Sequence, residues 1–350
     1  MKVLITGNMG YVGPVLTRHL RKRHPALQIV GFDAGYFAHA LTGEDRLPES
    51  RLDAQHFGDM RSFPQQLLTG VDAVVHLAAI SNDPMGKQFE AVTDEINHHA
   101  SVGLATMARD AGVRNFVFAS SCSVYGAAGT HARKEHDPLN PLTAYARSKV
   151  EVEQSLGRLD LGDMRATCLR FATACGMSDR LRLDLVLNDF VASALATGAI
   201  TVLSDGTPWR PLIDVRDMAR AIDWAIHRGE QAGGRFLCVN AGSDAWNYCV
   251  RDLAEAVSQR IPGTTMSINR DAAPDPRSYR VDFSQFRILA PDHQPLVGLV
   301  ESIDRLREGI AAMGGVGEDF RQSRYMRLRM LQSHIGAGRL TPELAWTQQD

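Results

Sequence analysis

Tyr145 and Lys149 stand four positions apart in Tyr145-Ala146-Arg147-Ser148-Lys149, a spacing that puts both side chains on one face of a helix. An ammonium beside a phenol favours the phenolate and lowers the phenol's pKa. A tyrosine tuned in this way can take a proton from an alcohol, or return one, near neutral pH. Upstream, the apolar run Asn115-Phe116-Val117-Phe118-Ala119 breaks into Ser120-Ser121-Cys122-Ser123-Val124-Tyr125-Gly126. A serine hydroxyl at the end of a strand there could hold the same substrate oxygen. These groups would suit oxidation of a carbinol to a ketone by hydride loss. Tyr-x-x-x-Lys occurs by chance on many helices, so the reading requires a hydride acceptor elsewhere in the chain.

The N-terminal elements are suited to holding one. Val3-Leu4-Ile5 reads as a short buried strand and runs straight into Thr6-Gly7-Asn8-Met9-Gly10-Tyr11-Val12-Gly13. A helical pattern follows through Val15, Leu16 and Leu20 to a basic end, and Pro25 stops it. Gln28–Asp33 is the second strand. In this β-α-β context the glycines allow a tight turn and close backbone approach, and the helix N-terminus receives a diphosphate. Asp33 closes the second strand, where a carboxylate accepts hydrogen bonds from an adenosine ribose and repels a 2′-phosphate. With no Arg or Lys in the glycine loop or immediately after Asp33, NAD is expected rather than NADP.

The alternation continues. A third strand is expected over 51–57, then Gly58-Asp59-Met60-Arg61, where Asp59 either meets an adenine amino group or caps a helix from Ser62. A fourth strand and its exit cover Val71–Ala79, with small residues Ala78 and Ala79 beside Leu77 leaving room for a cofactor. Ser81-Asn82-Asp83-Pro84 reads as a polar turn. A long helix is expected over 89–111; its adjacent His98 and His99 should point to different faces, so no metal site is expected. Asn97 either bridges helix and sheet or is solvated. Further strands fall at 116–120 and 166–170, with the Tyr145 helix at 142–156 between them. Strand–helix alternation implies a parallel sheet with crossover helices.

Composition excludes several classes. With 44% hydrophobic and 22% charged residues the chain is an ordinary globular one, and a net charge of −2 gives no case for nucleic acid or an anionic membrane. No apolar run approaches the roughly 20 residues that span a bilayer, and Met1–Gly7 does not read as a signal peptide. Five scattered cysteines without a Cys-x-x-Cys pair fit reduced thiols in a cytoplasm.

These motifs, together with Arg210-Pro211-Leu212-Ile213-Asp214-Val215-Arg216-Asp217, resemble those of the extended short-chain dehydrogenase/reductase family, in its nucleotide-sugar epimerase and dehydratase branch. The carried signatures are Thr6-Gly-x-x-Gly10-x-x-Gly13, Gly58-Asp59-x-Arg61, His76-Leu-Ala-Ala79, Ser120-Ser121-x-x-Val124-Tyr-Gly126 and Tyr145-x-x-x-Lys149, over roughly residues 1–310. The resemblance implies a Rossmann-type, doubly wound parallel α/β sheet (1–170 plus 214–261) and a smaller, discontinuous α/β substrate domain (171–213 plus 262–350). It implies Tyr145 as acid/base, Lys149 as its tuner and nicotinamide-ribose ligand, and Ser121 as holder of the reacting hydroxyl. It places the cofactor against Gly7, Gly10, Tyr11, Val12, Gly13, Asp33, Asp59, Met60, Leu77, Ala78, Ala79, Ser120, Tyr145 and Lys149. A nucleotide-sugar substrate would meet Ser81, Ser121, Cys122, Ser123, Tyr145, Thr173, Asn188, Arg210 and Arg277, the arginines gripping its diphosphate as guanidinium forks do. A homodimer through two helices per subunit is the family habit.

Departures from the pattern narrow the activity. Dehydratases of the branch carry Asp-Glu where this chain has Cys122-Ser123, so no carboxylic acid stands ready to expel a hydroxyl as water. The decarboxylase Glu is also missing. Thr173-Ala174-Cys175-Gly176 replaces the common Asn-Val-Tyr-Gly and alters the sugar pocket. Cys122 is either an acid/base for carbon epimerisation or a buried structural thiol. The first expectation is an NAD-dependent epimerase acting by transient oxidation at C4; a ketoreductase or dehydrogenase and a non-catalytic NAD-sensing or scaffold protein are the alternatives. Residues 314–350, including the basic stretch 321–329, suggest packing or oligomer contacts.

Overall fold

The computed structural model describes residues 1–43, 46–127, 131–272 and 277–347. Its strands in chain order are β1 (Lys2–Thr6), β2 (Gln28–Asp33), β3 (Ala54–Phe57), β4 (Ala73–His76), β5 (Asn115–Ser121), β6 (Arg165–Phe171), β7 (Thr173–Cys175), β8 (Ala199–Val202), β9 (Trp209–Asp214), β10 (Phe236–Ala241), β11 (Asn247–Cys249) and β12 (Thr265–Ile268). Seven of them form one parallel sheet in the order β10-β6-β5-β4-β1-β2-β3. Helices cover both faces, which is why β1 and β4 are near-continuous apolar runs rather than alternating ones. Strand order reverses at β1, whose neighbours are β2 and β4. The crevice at such a switch point is where open α/β sheets bind ligands. Among the described residues no helix is long and apolar enough to cross a membrane.

Two smaller sheets, β11-β9-β7 and β12-β8, build the second part of the molecule. Its core joins Leu187 and Val191 of helix Val186–Thr197 to Leu253 and Val257 of helix Val250–Arg260 and to Ile303 and Leu306 of helix Leu299–Ala312. Helix Val250–Arg260 therefore packs with the substrate part, although its position in sequence grouped it with the Rossmann sheet. Conversely, Leu331, Leu340 and Leu344, grouped by sequence with the substrate part, pack into the Rossmann core beside Val30, Phe63 and Met85.

Local chemistry corrects several expected elements. Pro48–Arg51 forms a short 3-10 turn, which shortens β3 to four residues. Asp59 caps only the single turn Met60–Ser62, by accepting the Arg61 N–H. The polar turn at 81–84 opens a helix instead: the Asn82 side chain accepts the Met85 N–H and caps Asp83–Gln88. The long helix is interrupted by a π turn at Glu95–His99. That wider turn stacks the His98 and His99 rings 4.7 Å apart, both against Asp94, rather than sending them to different faces. The turn also buries Asn97, whose Oδ1 accepts from Ile80 N at 2.8 Å and whose Nδ2 donates to Ile80 O and Ser148 Oγ.

Candidate active site

A cleft of about 1110 Å³ opens over the C-terminal ends of β1, β2, β4 and β5 and runs to the smaller sheets. It exceeds the roughly 300–1,000 Å³ of an ordinary small-ligand pocket. Gly7, Gly10, Tyr11, Val12, Asp33, Asp59, Met60, Leu77, Ala78, Ala79 and Ser120 line one limb. Gly7 has φ +73°, and a Cβ there would lie 2.4 Å from Ala78 N, so only glycine lets the loops after β1 and β4 meet. Gly13 lies off the cleft wall; a Cβ on it would strike Asn8 O at 2.0 Å, and its absence lets the helix Gly13–Arg23 start against the loop. No side chain caps that helix, which leaves its first N–H groups to a ligand. Asp33 accepts Met9 N at 2.9 Å and Gly35 N at 2.7 Å, and burial raises its pKa. Each carboxylate oxygen keeps a lone pair for a ribose hydroxyl. Bare loop, uncapped helix end and strand-end carboxylate fit a dinucleotide. Asp59 also faces the cleft, bound at 2.6 Å to Arg61.

The Tyr145 helix spans Ala144–Arg158, capped by Thr143 Oγ1, which accepts Ala146 N and donates to Asp83. Gly86 of the helix Asp83–Gln88 lies so close that a Cβ would meet Tyr145 N at 3.2 Å. Ser121 and Tyr145 both line the cleft, with Ser121 placed where it lowers the Tyr145 pKa, and Ser121 Oγ accepts Ser123 N at 3.1 Å. Lys149 is 3% exposed; its Nζ donates to Ala119 O at 2.7 Å and lies 4.5 Å above the Phe118 ring. Sequence spacing implied a phenol lowered by its lysine. Burial instead pushes the Tyr145 hydroxyl up to about 12, against the pull of Arg182 and of Ser121. Burial likewise pushes Lys149 down to about 7, opposed by Glu153. Both shifts disfavour the charged form. Behind the site, Ser120 Oγ donates to Glu153, which Arg170 grips through Nε and Nη2.

On the other limb Ser81, Ser121, Ser123, Thr173, Arg210 and Arg277 line the cleft. Ser123 Oγ is buried and without a partner among the described residues, an open site for a substrate group. Arg277 donates to Asp83 at 2.6 Å, and the Asp275-Pro276 pair before it lies outside the described residues. Arg210 lies 6.0 Å from the Tyr279 ring. Two candidates are not on the wall. Cys122 is fully buried, its Sγ 3.1 Å from Arg170 O, and burial drives its thiol pKa far up. Asn188 is spent inside the protein, accepting Gly176 N and donating to Arg182 O.

The cleft also contains groups that sequence reasoning passed over. Arg182 lies beside Tyr145, donates to Ser81 Oγ at 3.0 Å and pairs with Asp184. Burial raises Asp184, yet Arg182 outweighs it and holds the carboxyl below its usual range. Tyr36, Phe37 and Arg327 complete the far wall. The alternation Arg180-Leu181-Arg182-Leu183-Asp184 was the one local signal for Arg182.

A family model described as the NAD dependent epimerase/dehydratase family matches residues 3–240. An uncharacterised UDP-glucose epimerase of Bacillus subtilis is 26% identical over 302 residues, covering 83% of this chain and 92% of that protein. UDP-glucuronic acid decarboxylase 6 of Arabidopsis thaliana is 25% identical over 331 residues, covering 92% and 89%. Among solved structures, a UDP-glucuronic acid 4-epimerase from Bacillus cereus, in complex with UDP-glucuronic acid and NAD, superposes with a TM-score of 0.75 at 22% identity, over 89% of this chain and 99% of that one. The glycine loop, the strand-end carboxylate and the match over most of the chain agree: this protein belongs to the NAD-dependent epimerase/dehydratase family, an enzyme of the extended short-chain dehydrogenase/reductase type.

Proposed function

We propose that the protein is a nucleotide-sugar epimerase that inverts a carbinol carbon, C4 of the sugar, by transient oxidation. The carrying observation is the meeting of Ser121, Tyr145 and Lys149 at the floor of the cleft that has the dinucleotide limb on one side and Arg210 and Arg277 on the other. NAD, when bound, supplies the acceptor and then the donor of a hydride. Ser121 holds the reacting hydroxyl. Tyr145 takes its proton as the carbon loses hydride, and returns that proton once hydride has come back to the opposite face of the turned keto-sugar. Lys149, drawn between a buried neutral form and an ammonium, holds the ribose and offsets phenolate charge. Arg210 and Arg277 receive the substrate's diphosphate.

Two features support isomerisation over loss of water. Cys122 and Ser123 offer no carboxylic acid, and Cys122 is sealed away from the cleft. The relatives named for UDP-sugars support a uridine nucleotide as the first to try. Tyr145→Phe tests the assignment: kcat should fall by about 10²–10⁴-fold, the usual range for a lost acid/base, while UDP binding by calorimetry is unchanged. Unchanged turnover would remove Tyr145 from the mechanism, and absence of turnover by the wild type across nucleotide sugars would favour a non-catalytic protein. Net accumulation of NADH with an oxidised sugar would favour a dehydrogenase.

A further inference from the structure

Arg327 opens the helix Arg327–Gly336, in the part of the chain that carried no motif. Its side chain is 1% exposed and lines the cleft. Nη2 donates to Arg180 O at 2.9 Å, and the guanidinium carbon lies 4.5 Å from the Phe37 ring centre. Nη1 has no hydrogen-bond partner among the described residues. Among the described residues no carboxylate forms an ion pair with Arg327, since the nearby Asp184 is taken by Arg182 and Glu49 by Arg180. A buried guanidinium without a counter-charge is costly, and burial, with Arg182 adding to it, pushes this one down to about 9. A fold keeps such a group where a bound anion completes it. The neighbours say which anion: Phe37 follows Asp33 in the ribose-binding loop, and Tyr11 belongs to the glycine loop ahead of the uncapped helix end. Arg210, by contrast, sits against Tyr279 on the other limb.

We propose that Arg327 binds the diphosphate of the dinucleotide from the side opposite the glycine loop, and that residues 327–346 form a clasp over the adenosine half of the cofactor. The clasp is tied to the loops that carry Asp33 and Asp59. The Tyr36 hydroxyl donates to Leu344 O, Trp346 Nε1 donates to Ala34 O at 2.6 Å, and Arg61 Nη1 donates to Glu343 O at 2.9 Å. His334 Nε2 meets Tyr36 O at 3.0 Å. Leu331, Leu340 and Leu344 anchor it in the core. Because the same segment covers the ribose loop and supplies a cation, release of the dinucleotide requires the clasp to lift. That keeps the cofactor in place between removal of the hydride and its return. The inference rests on the NAD-dependence of the family, not on which sugar is turned over.

The test compares Arg327→Met and Arg327→Lys with Arg329→Met, an exposed arginine on the same helix. Dinucleotide carried through purification is measured after acid release, and NAD and UDP affinities are measured by calorimetry on stripped protein. A charged hydrogen bond of roughly 1.5–3 kcal/mol predicts about a 10- to 150-fold rise in Kd for NAD in Arg327→Met, with Arg327→Lys in between and Arg329→Met unchanged. UDP affinity should stay within about twofold. The NAD-free Arg327→Met protein should melt no lower than wild type, since the uncompensated charge is gone, and only its NAD-induced rise in Tm should shrink. Equal NAD affinity in wild type and Arg327→Met would overturn the proposal. So would a fall in UDP affinity with NAD unaffected, or a lower Tm of the NAD-free protein, which would make Arg327 a structural residue. Failure of the wild-type protein itself to bind NAD would instead strike at the cofactor reading.

Discussion

At the scale of single residues, environment overrides spacing. Tyr145 and Lys149 share a helix face as four-residue spacing requires, and the Lys149 ammonium lies 5.5 Å from the Tyr145 ring centre, but it donates its hydrogen bond to Ala119 O and sits closer to Phe118. Burial disfavours the charged form of both side chains. Replacing Lys149 by Met should cut kcat by about 10²-fold or more in steady-state assays at saturating NAD, if Tyr145 is the acid/base, because a phenolate there would lose the ammonium beside its ring. Cys122 shows the opposite relation. Its position in the Ser120–Gly126 motif made an acid/base role conceivable, but it is sealed under the motif and donates to Arg170 O. Cys122→Ala should leave kcat within about twofold while lowering Tm, and iodoacetamide should not modify the folded wild-type thiol.

At the scale of elements, the π turn Glu95–His99 positions the helix that carries Tyr145. It aims Asn97 inward, where one amide fastens the loop after β4 through Ile80 and reaches Ser148 Oγ, which in turn donates to Tyr145 O. Asn97→Leu leaves Ile80 N–H and C=O unpaired, at about 1–3 kcal/mol each, and should lower both Tm and kcat. On the other end of the sheet, helix Val215–His227 offers Asp223 to His19, His24 and His227 at 2.8, 2.9 and 3.1 Å. Burial raises Asp223, but those hydrogen bonds outweigh it and depress its pKa, while Asp223 raises that of His227. A depressed Asp stabilises above its unfolded pKa of about 3.9 and loses that as pH falls; a raised His stabilises below about 6.5 and loses that as pH rises through its folded value. The Tm difference between wild type and Asp223→Asn should therefore be largest between about pH 4 and 6.5 and narrow on both sides. A flat difference across pH would refute this coupling.

At the scale of the molecule, the legible and illegible parts separate by how far apart in sequence the partners lie. The sheet, its switch point and the dinucleotide limb follow from local apolar runs, glycines and caps, and Gln28–Asp33 was readable residue for residue. The substrate limb was less so. Arg182 meets Ser81, and Arg327 meets Phe37, across long stretches of chain that no spacing rule connects. Asn188 had the right residue type for a ligand contact, but its amide is used up holding Gly176 and Arg182. The same distance effect hid the clasp: residues 327–346 pack on the Rossmann core although they follow the substrate part in sequence.

The central claim is hydride return at a single carbon, and an isotope experiment reads it directly. The protein with NAD would be incubated in D₂O with UDP-, GDP-, CDP- and dTDP-sugars, and products separated by chromatography and weighed. Hydride return predicts an epimer of unchanged mass from one nucleotide sugar, and no such epimer with Tyr145→Phe. An epimer one deuteron heavier would mean carbon-acid chemistry, and a product lighter by one water would mean dehydration; either result would contradict it.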